Sequence, residues 1–228
     1  MNTESVVKGP GSDDRPGGSN QLLFIEVGIL VFALGLWLGI ASFGDSSKHA
    51  GPPTLRAGTL LPQPRYLADF DLVDQDGRPF SLANLEGHWT FVSIGYTSCP
   101  DICPTTMATY SAVSAGIAKL QPETKPQFLF ISVDPERDQP ERLAQYVRYF
   151  NPAFLGATGE DVQLRALTAQ FGVLYVRVEG EATAMGYLMD HSASILLVDP
   201  EGRFTAIFGT PHDTALIASD FLAIAANH

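Results

Sequence analysis

Apolar residues are distributed in two ways along this 228-residue chain. From Leu22 to Phe43 they run almost unbroken, "LLFIEVGILVFALGLWLGIASF", with Glu26 as the one charge. A helix of that length crosses the roughly 30 Å hydrocarbon core of a bilayer. Beyond residue 65 they gather instead into short blocks separated by turn residues. "DFDLVDQDGRPFSL" alternates about Asp76-Gly77, the pattern of a tight hairpin. "WTFVSIGY" (89–96) and "QFLFISVD" (127–134) are continuous apolar runs, the mark of strands buried on both faces. Helical spacing covers 104–120, a stretch from Asp138 to Phe150, 160–171 and 213–226. Asp138-Gln139-Pro140-Glu141 reads as a capping box with Asp138 as the cap, and Gly172 as a helix stop. Short strands follow at 173–178, 194–198 and 204–208, the last two joined by a turn at Pro200-Glu201-Gly202. Strands alternating with helices predict an α/β sheet flanked by helices.

The remaining segments are polar or punctuated. Residues 1–21 are rich in Gly, Ser, Pro and mixed charge and read as disordered. Residues 44–65 hold seven Pro or Gly and no periodic pattern, and read as a flexible tether. The expected organisation is therefore 1–21 disordered, 22–43 anchor, 44–65 tether and 66–228 folded domain. A cleaved signal sequence would start earlier and be shorter than the 22–43 run, and the acidic residues before it disfavour a mitochondrial transit peptide. A buried core helix would need partners that its flanks do not offer. Gly35 and Gly39 make a GxxxG that could pair helices. Lys8 and Arg15 on one side are matched by Lys48, Arg56 and Arg65 on the other, so the positive-inside rule does not orient the anchor.

Net charge is −11, of which −2 falls in residues 1–44. An acidic domain repels phosphates, which excludes nucleic acid as a partner class. There is no nucleotide-binding glycine pattern and no clear pair of catalytic carboxylates.

The chemistry concentrates in "YTSCPDICPT" (96–105), which holds both cysteines of the chain, Cys99 and Cys103. Cys99 falls at a strand-to-helix turn. Asp101 is an N-cap candidate, which puts Cys103 in the first helical turn, where the helix dipole favours thiolate. A cysteine loop directly after the first central strand resembles the placement of active cysteines in thioredoxin-like domains. Three readings stand. The first is a structural disulfide or two buried thiols, and a disulfide here would close too short a loop to add much stability. A redox dithiol usually has two intervening residues, and here there are three. A metal site needs another ligand. His49 lies in the tether, His228 ends the chain, His88 lies in a loop and His212 begins the last helix. His191, in "MGYLMDHSASILLVDP", precedes a strand expected beside the cysteine-bearing one. Two thiolates and an imidazole are a soft donor set suited to Cu(I) and able to hold Cu(II), whereas zinc normally takes a fourth ligand. Asp190 could support His191, and Met189 could be an axial donor or core. "VDPERD" (133–138) ends a central strand, where α/β folds build sites, and reads as helix capping or as a docking rim.

"GYTSCPDICP", "ISVDPERD" and "DHSASILLVDPEG" together resemble the Sco/SenC family, from about Pro62 to the C-terminus. The resemblance implies a membrane-anchored, thioredoxin-like copper-binding domain that assists cytochrome c oxidase assembly. It implies that Cys99, Cys103 and His191 hold one copper ion. It further implies a domain facing the periplasm from the inner membrane, or the mitochondrial intermembrane space. The implied partners are oxidase subunit II, whose binuclear copper site would be the client, and other copper chaperones. The competing reading is a membrane-anchored thiol–disulfide reductase that keeps the client's cysteines reduced, a non-metal role for Cys99 and Cys103.

Overall fold

The computed structural model describes residues 28–37, 53–179 and 187–228. Residues 28–37 are helical and exposed, in a unit of their own apart from the unit that begins at Pro52. The rest of the expected anchor, the segment 1–21 and residues 44–52 of the tether lie outside the described residues. Among the described residues no helix is long and apolar enough to cross a membrane.

The folded unit is built on an eight-stranded sheet in the order β1-β10-β9-β4-β5-β6-β2-β3. Its strands are β1 (Gly58–Tyr66), β2 (Leu72–Asp74), β3 (Pro79–Phe80), β4 (Thr90–Gly95), β5 (Gln127–Ser132), β6 (Leu155–Thr158), β9 (Ile195–Val198) and β10 (Arg203–Phe208). A separate two-stranded sheet pairs β7 (Val176–Glu179) with β8 (Tyr187–Asp190). The helices are α1 (Ile102–Leu120), α2 (Pro140–Phe150), α3 (Asp161–Gln170) and α4 (Thr214–Ala225). The α/β architecture matches the expectation.

β4 is buried at all six positions, as its unbroken apolar run requires of a strand covered on both faces. It pairs in parallel with β5 and antiparallel with β9. Around Phe91 the rings of Phe128, Phe208, Phe221 and Tyr110 meet at centroid distances of 5.0 to 6.5 Å. α1 packs against α4, and α2 lies on β6. That last approach depends on Gly156, where an added Cβ would stand 2.6 Å from Leu143 Cγ. The Asp76-Gly77 turn joins β2 to β3 with Gly77 at φ 77°, and Gly172 ends α3 at φ 73°. Asp213 caps α4, accepting from the amides of Ala215 and Leu216.

Four elements differ from the sequence expectation. The end of the expected tether is strand β1, an edge strand paired with β10. Its prolines, Pro62 and Pro64, sit where the register shifts between Leu60 and Arg65, so neither is asked for a ladder N–H. The capping box at Asp138 does not form. Gln139 is the N-cap of α2 and Pro140 its first residue, while Asp138 is buried and bonded elsewhere. β6 and β8 are additional strands of four residues each, too short to show a period.

β1 is also held from behind. The amides of Arg56, Ala57 and Gly58 all donate to Asp220 Oδ2 of α4, at 2.9, 2.7 and 2.9 Å. Asp220→Ala is expected to lower stability by about 2–4 kcal/mol, because it strands three donors. Equilibrium urea unfolding reads this loss, and an unchanged midpoint would show that β1 is held by β10 alone.

Candidate metal centre

The site lies at the carboxyl ends of β4 and β5, where parallel strands of an open α/β sheet leave their crevice. β4 ends at Gly95, paired with Ser132 at the end of β5. The two following loops therefore start side by side, and the amide of Val133 still donates to Gly95 O at 2.9 Å. β9 runs antiparallel to β4, so its start, and the 191–194 loop before it, arrive at the same end.

One buried carboxylate joins the first two loops. Asp138 accepts from the Thr97 amide at 2.7 Å, from Thr97 Oγ1 at 2.5 Å and from Ser132 Oγ at 2.6 Å. Arg142 of α2 adds bonds from Nε to Thr97 Oγ1 at 2.8 Å and from a terminal nitrogen to Ser98 Oγ at 2.9 Å. The cysteine loop is thus gripped just before Cys99. Asp134, also buried, pairs with Arg137 and accepts from the Tyr187 hydroxyl at 2.6 Å. The "VDPERD" stretch is a bonded scaffold under the site, and Asp138 is not a helix cap.

Cys99 is half-buried and Cys103 buried, both as free thiols. Asp101 is the positional N-cap of α1 without a capping hydrogen bond from its side chain. The Cys103 amide, in the first turn, donates to Cys99 Sγ at 3.4 Å. Gly95 makes room for the second sulfur. A Cβ there would lie 2.7 Å from Cys103 Sγ and 2.8 Å from the Phe130 ring.

His191 follows β8 directly and brings Nε2 to 3.3 Å from Cys103 Sγ. Its Nδ1 lies 2.9 Å from Ser192 O. A carbonyl can only accept, so Nδ1 carries the hydrogen and Nε2 is the nitrogen turned towards the thiols. Tyr96 meets the imidazole edge to face at 5.9 Å. The donor atoms of Cys99, Cys103 and His191 all lie within 4.8 Å of one another. That is close to the span one soft metal ion bridges with metal–sulfur bonds of about 2.3 Å. A cleft of about 400 Å³ opens onto Cys99 and His191, lined by Pro100, Ile102, Val178 and Leu188 among others.

The two thiols differ in acidity. A hydrogen bond from Cys103 is the chief influence holding Cys99 down, to about 3, with His191 and the Asp101 and Cys103 amides helping against burial. The Cys103 thiol is pushed far up, first because it is the donor in that bond and second by burial. The pair therefore keeps a thiolate on Cys99 and shares one proton with Cys103. Burial raises the Tyr96 phenol and keeps it neutral beside them.

The other sequence candidates fall elsewhere. Asp190 is exposed, and the Nδ1 partner of His191 is Ser192 rather than Asp190. Met189 is buried in β8 and lines the cleft. His88 is exposed, and His49 lies outside the described residues. His212 is half-buried, and burial lowers its pKa. His228, expected to be solvated, packs edge-on against Trp89 at 4.8 Å and meets Glu201 at 2.7 Å. With Asp199 and Glu201 it makes a second cluster of possible ligands, but Arg203 already pairs with both carboxylates. Sequence reasoning missed Tyr96, Arg142 and Gly95. Of these only Gly95 left a signal, as a glycine inside an apolar strand run.

Residues 59–226 match the SCO1/SenC family model. The "SCO2-like protein" of Rickettsia felis is 37% identical over 140 residues, covering 61% of this chain and 67% of that protein. A crystal structure of Arabidopsis thaliana ScoI with copper bound superposes with a TM-score of 0.67 at 32% identity, over 71% of this chain and 98% of that one. The structure of Bradyrhizobium japonicum ScoI with copper bound gives a TM-score of 0.61 at 33% identity, over 69% and 98%. Fold, site architecture and sequence agree: the chain belongs to the SCO1/SenC family.

Proposed function

We propose that this protein is a copper metallochaperone, in which Cys99, Cys103 and His191 hold one copper ion. One observation carries the reading. Donors separated by 88 positions in the chain converge, with Nε2 of His191 facing Cys103 Sγ and Nδ1 tied to a carbonyl. Two thiolates and an imidazole match the preference of Cu(I) for soft, low-coordinate sites. The copper-bound relatives in Arabidopsis and Bradyrhizobium support the choice of metal. The half-buried, already ionised Cys99 is the entry ligand, and Cys103 joins by giving up its proton. Release runs in reverse, one ligand at a time, onto a partner's cysteines. The client that the family resemblance implies is the binuclear copper site of cytochrome c oxidase subunit II. The apolar run 22–43 would hold the domain at the membrane, on the periplasmic face of an inner membrane.

A second reading rests on the unequal thiols. A Cys99 thiolate beside a protonated Cys103 is arranged for thiol–disulfide exchange. Cys99 would attack a client disulfide to form a mixed disulfide and expel one client thiolate. Cys103, deprotonated, would then attack Cys99 and release the second. The client gains two electrons, one proton that Cys103 gives up and one from solvent, and the pair ends as a disulfide.

The reduced chain, loaded anaerobically, is expected to bind one Cu(I), and its Cu(II) form to show thiolate-to-copper charge-transfer absorption. His191→Ala should weaken Cu(I) binding by more than about tenfold in a chelator competition. Undiminished affinity would remove His191 from the site and favour the reductase.

Alkylation separates the thiols. Cys99 should react with iodoacetamide at a rate nearly flat between about pH 5 and 8, because its thiolate is fully formed above its lowered pKa. Cys103→Ala removes the main cause of the lowering, so the inflection should move up towards that of an ordinary thiol. A profile that does not move would assign the thiolate's stability to other groups.

A further inference from the structure

We propose that Tyr187, clasped between the guanidinium groups of Arg137 and Arg177, is the latch that positions His191 over the cysteine pair. The inference rests on the reading of His191 as a ligand. β7 and β8 form a two-stranded arm that shares no ladder with the eight-stranded sheet. His191 is the first residue beyond that arm. Its place relative to the cysteines is therefore set on one side by β9, four residues on, and on the other by whatever docks the arm, and Tyr187 opens the strand that carries it.

The docking contacts centre on that one ring. Arg137 Cζ and Arg177 Cζ each lie 3.7 Å from the ring centroid of Tyr187. The Tyr187 hydroxyl donates to Asp134 Oδ1 at 2.6 Å, and Arg137 donates to Tyr187 O at 3.2 Å. Two guanidinium groups against one ring would repel each other without counter-charges. Asp134 supplies one by pairing with Arg137, and Glu136 the other at 3.0 Å from Arg177. The residues of the "VDPER" loop thus form one side of the clasp and the arm forms the other. Arg137 also lies 5.6 Å from the centroid of Tyr96, the ring that meets His191. None of the clasp residues is among the three donors, so Arg137 and Tyr187 are positioning residues that act through the arm.

Two measurements test this. In the metal-free chain, NMR contacts between the ring protons of Tyr96 and His191, and slow exchange of the amides at 188–190, are expected in the parent and lost in Arg137→Ala. Tyr187→Phe keeps the clasped ring but not the bond to Asp134, so a partial loss is expected. If Arg137→Ala fails to fold by near-ultraviolet dichroism, Tyr187→Phe carries the test. In Cu(I) competition, Arg137→Ala should weaken binding by about tenfold in the parent and change nothing in a His191→Ala background, because contacts that act through one group are not additive. Equal losses in both backgrounds would overturn the latch in favour of a general structural or charge effect. Retained ring contacts in both variants would overturn it as well. If His191→Ala alone leaves copper binding unchanged, the ligand reading falls, while the metal-free contacts still decide whether the clasp places the histidine.

Discussion

The site depends on two parallel strands that stop at the same level. β4 and β5 pair in register from Thr90–Gln127 to Gly95–Ser132, so the loops that leave them emerge together. Asp138 then ties the loops through two hydrogens from Thr97 and one from Ser132. A buried carboxylate is costly unless its oxygens are filled with donors, and these three fill them. The cost of burying it becomes a geometric constraint. Thr97 cannot move without taking two of the three donors from a buried carboxylate, and Cys99 is two residues further on.

The donors reach the centre by unequal routes. Cys103 is fixed by the first turn of a long helix and by the missing Cβ of Gly95. Cys99 sits in a loop gripped by Asp138 and Arg142. His191 comes in on an arm outside the main sheet. On the proposed copper reading, a rigid donor, a tethered donor and a carried donor would make a set in which one ligand is exchanged while the others stay.

Much of this could be read before the structure. The central strands were legible because burial on both faces leaves unbroken apolar runs, and α1, α3 and α4 because their spacing and stops were clear. Cys99, Cys103 and His191 were singled out by donor chemistry and by motifs resembling a family. The losses have a common cause in tertiary partners. Pro62 and Pro64 read as tether because a sequence does not show that a strand lies at a sheet edge with its register broken. Asp138 read as a cap because Pro140 and Glu141 follow it, yet its oxygens are claimed by Thr97, 41 positions away. β6 and β8 have four residues each, which is too few for periodicity to separate strand from loop. The clasp on Tyr187 joins residues 40 or more positions apart on one side and ten on the other, and no local pattern announces it.

The three amides that converge on Asp220 bear on how the domain meets tension. Residues 1–52 precede that point, so any pull transmitted along them enters the domain at Arg56–Gly58. The three bonds share one acceptor oxygen, so all of them load the same side chain of α4. A tug on the residues before Arg56 is thereby passed to a helix as well as to the neighbouring strand β10.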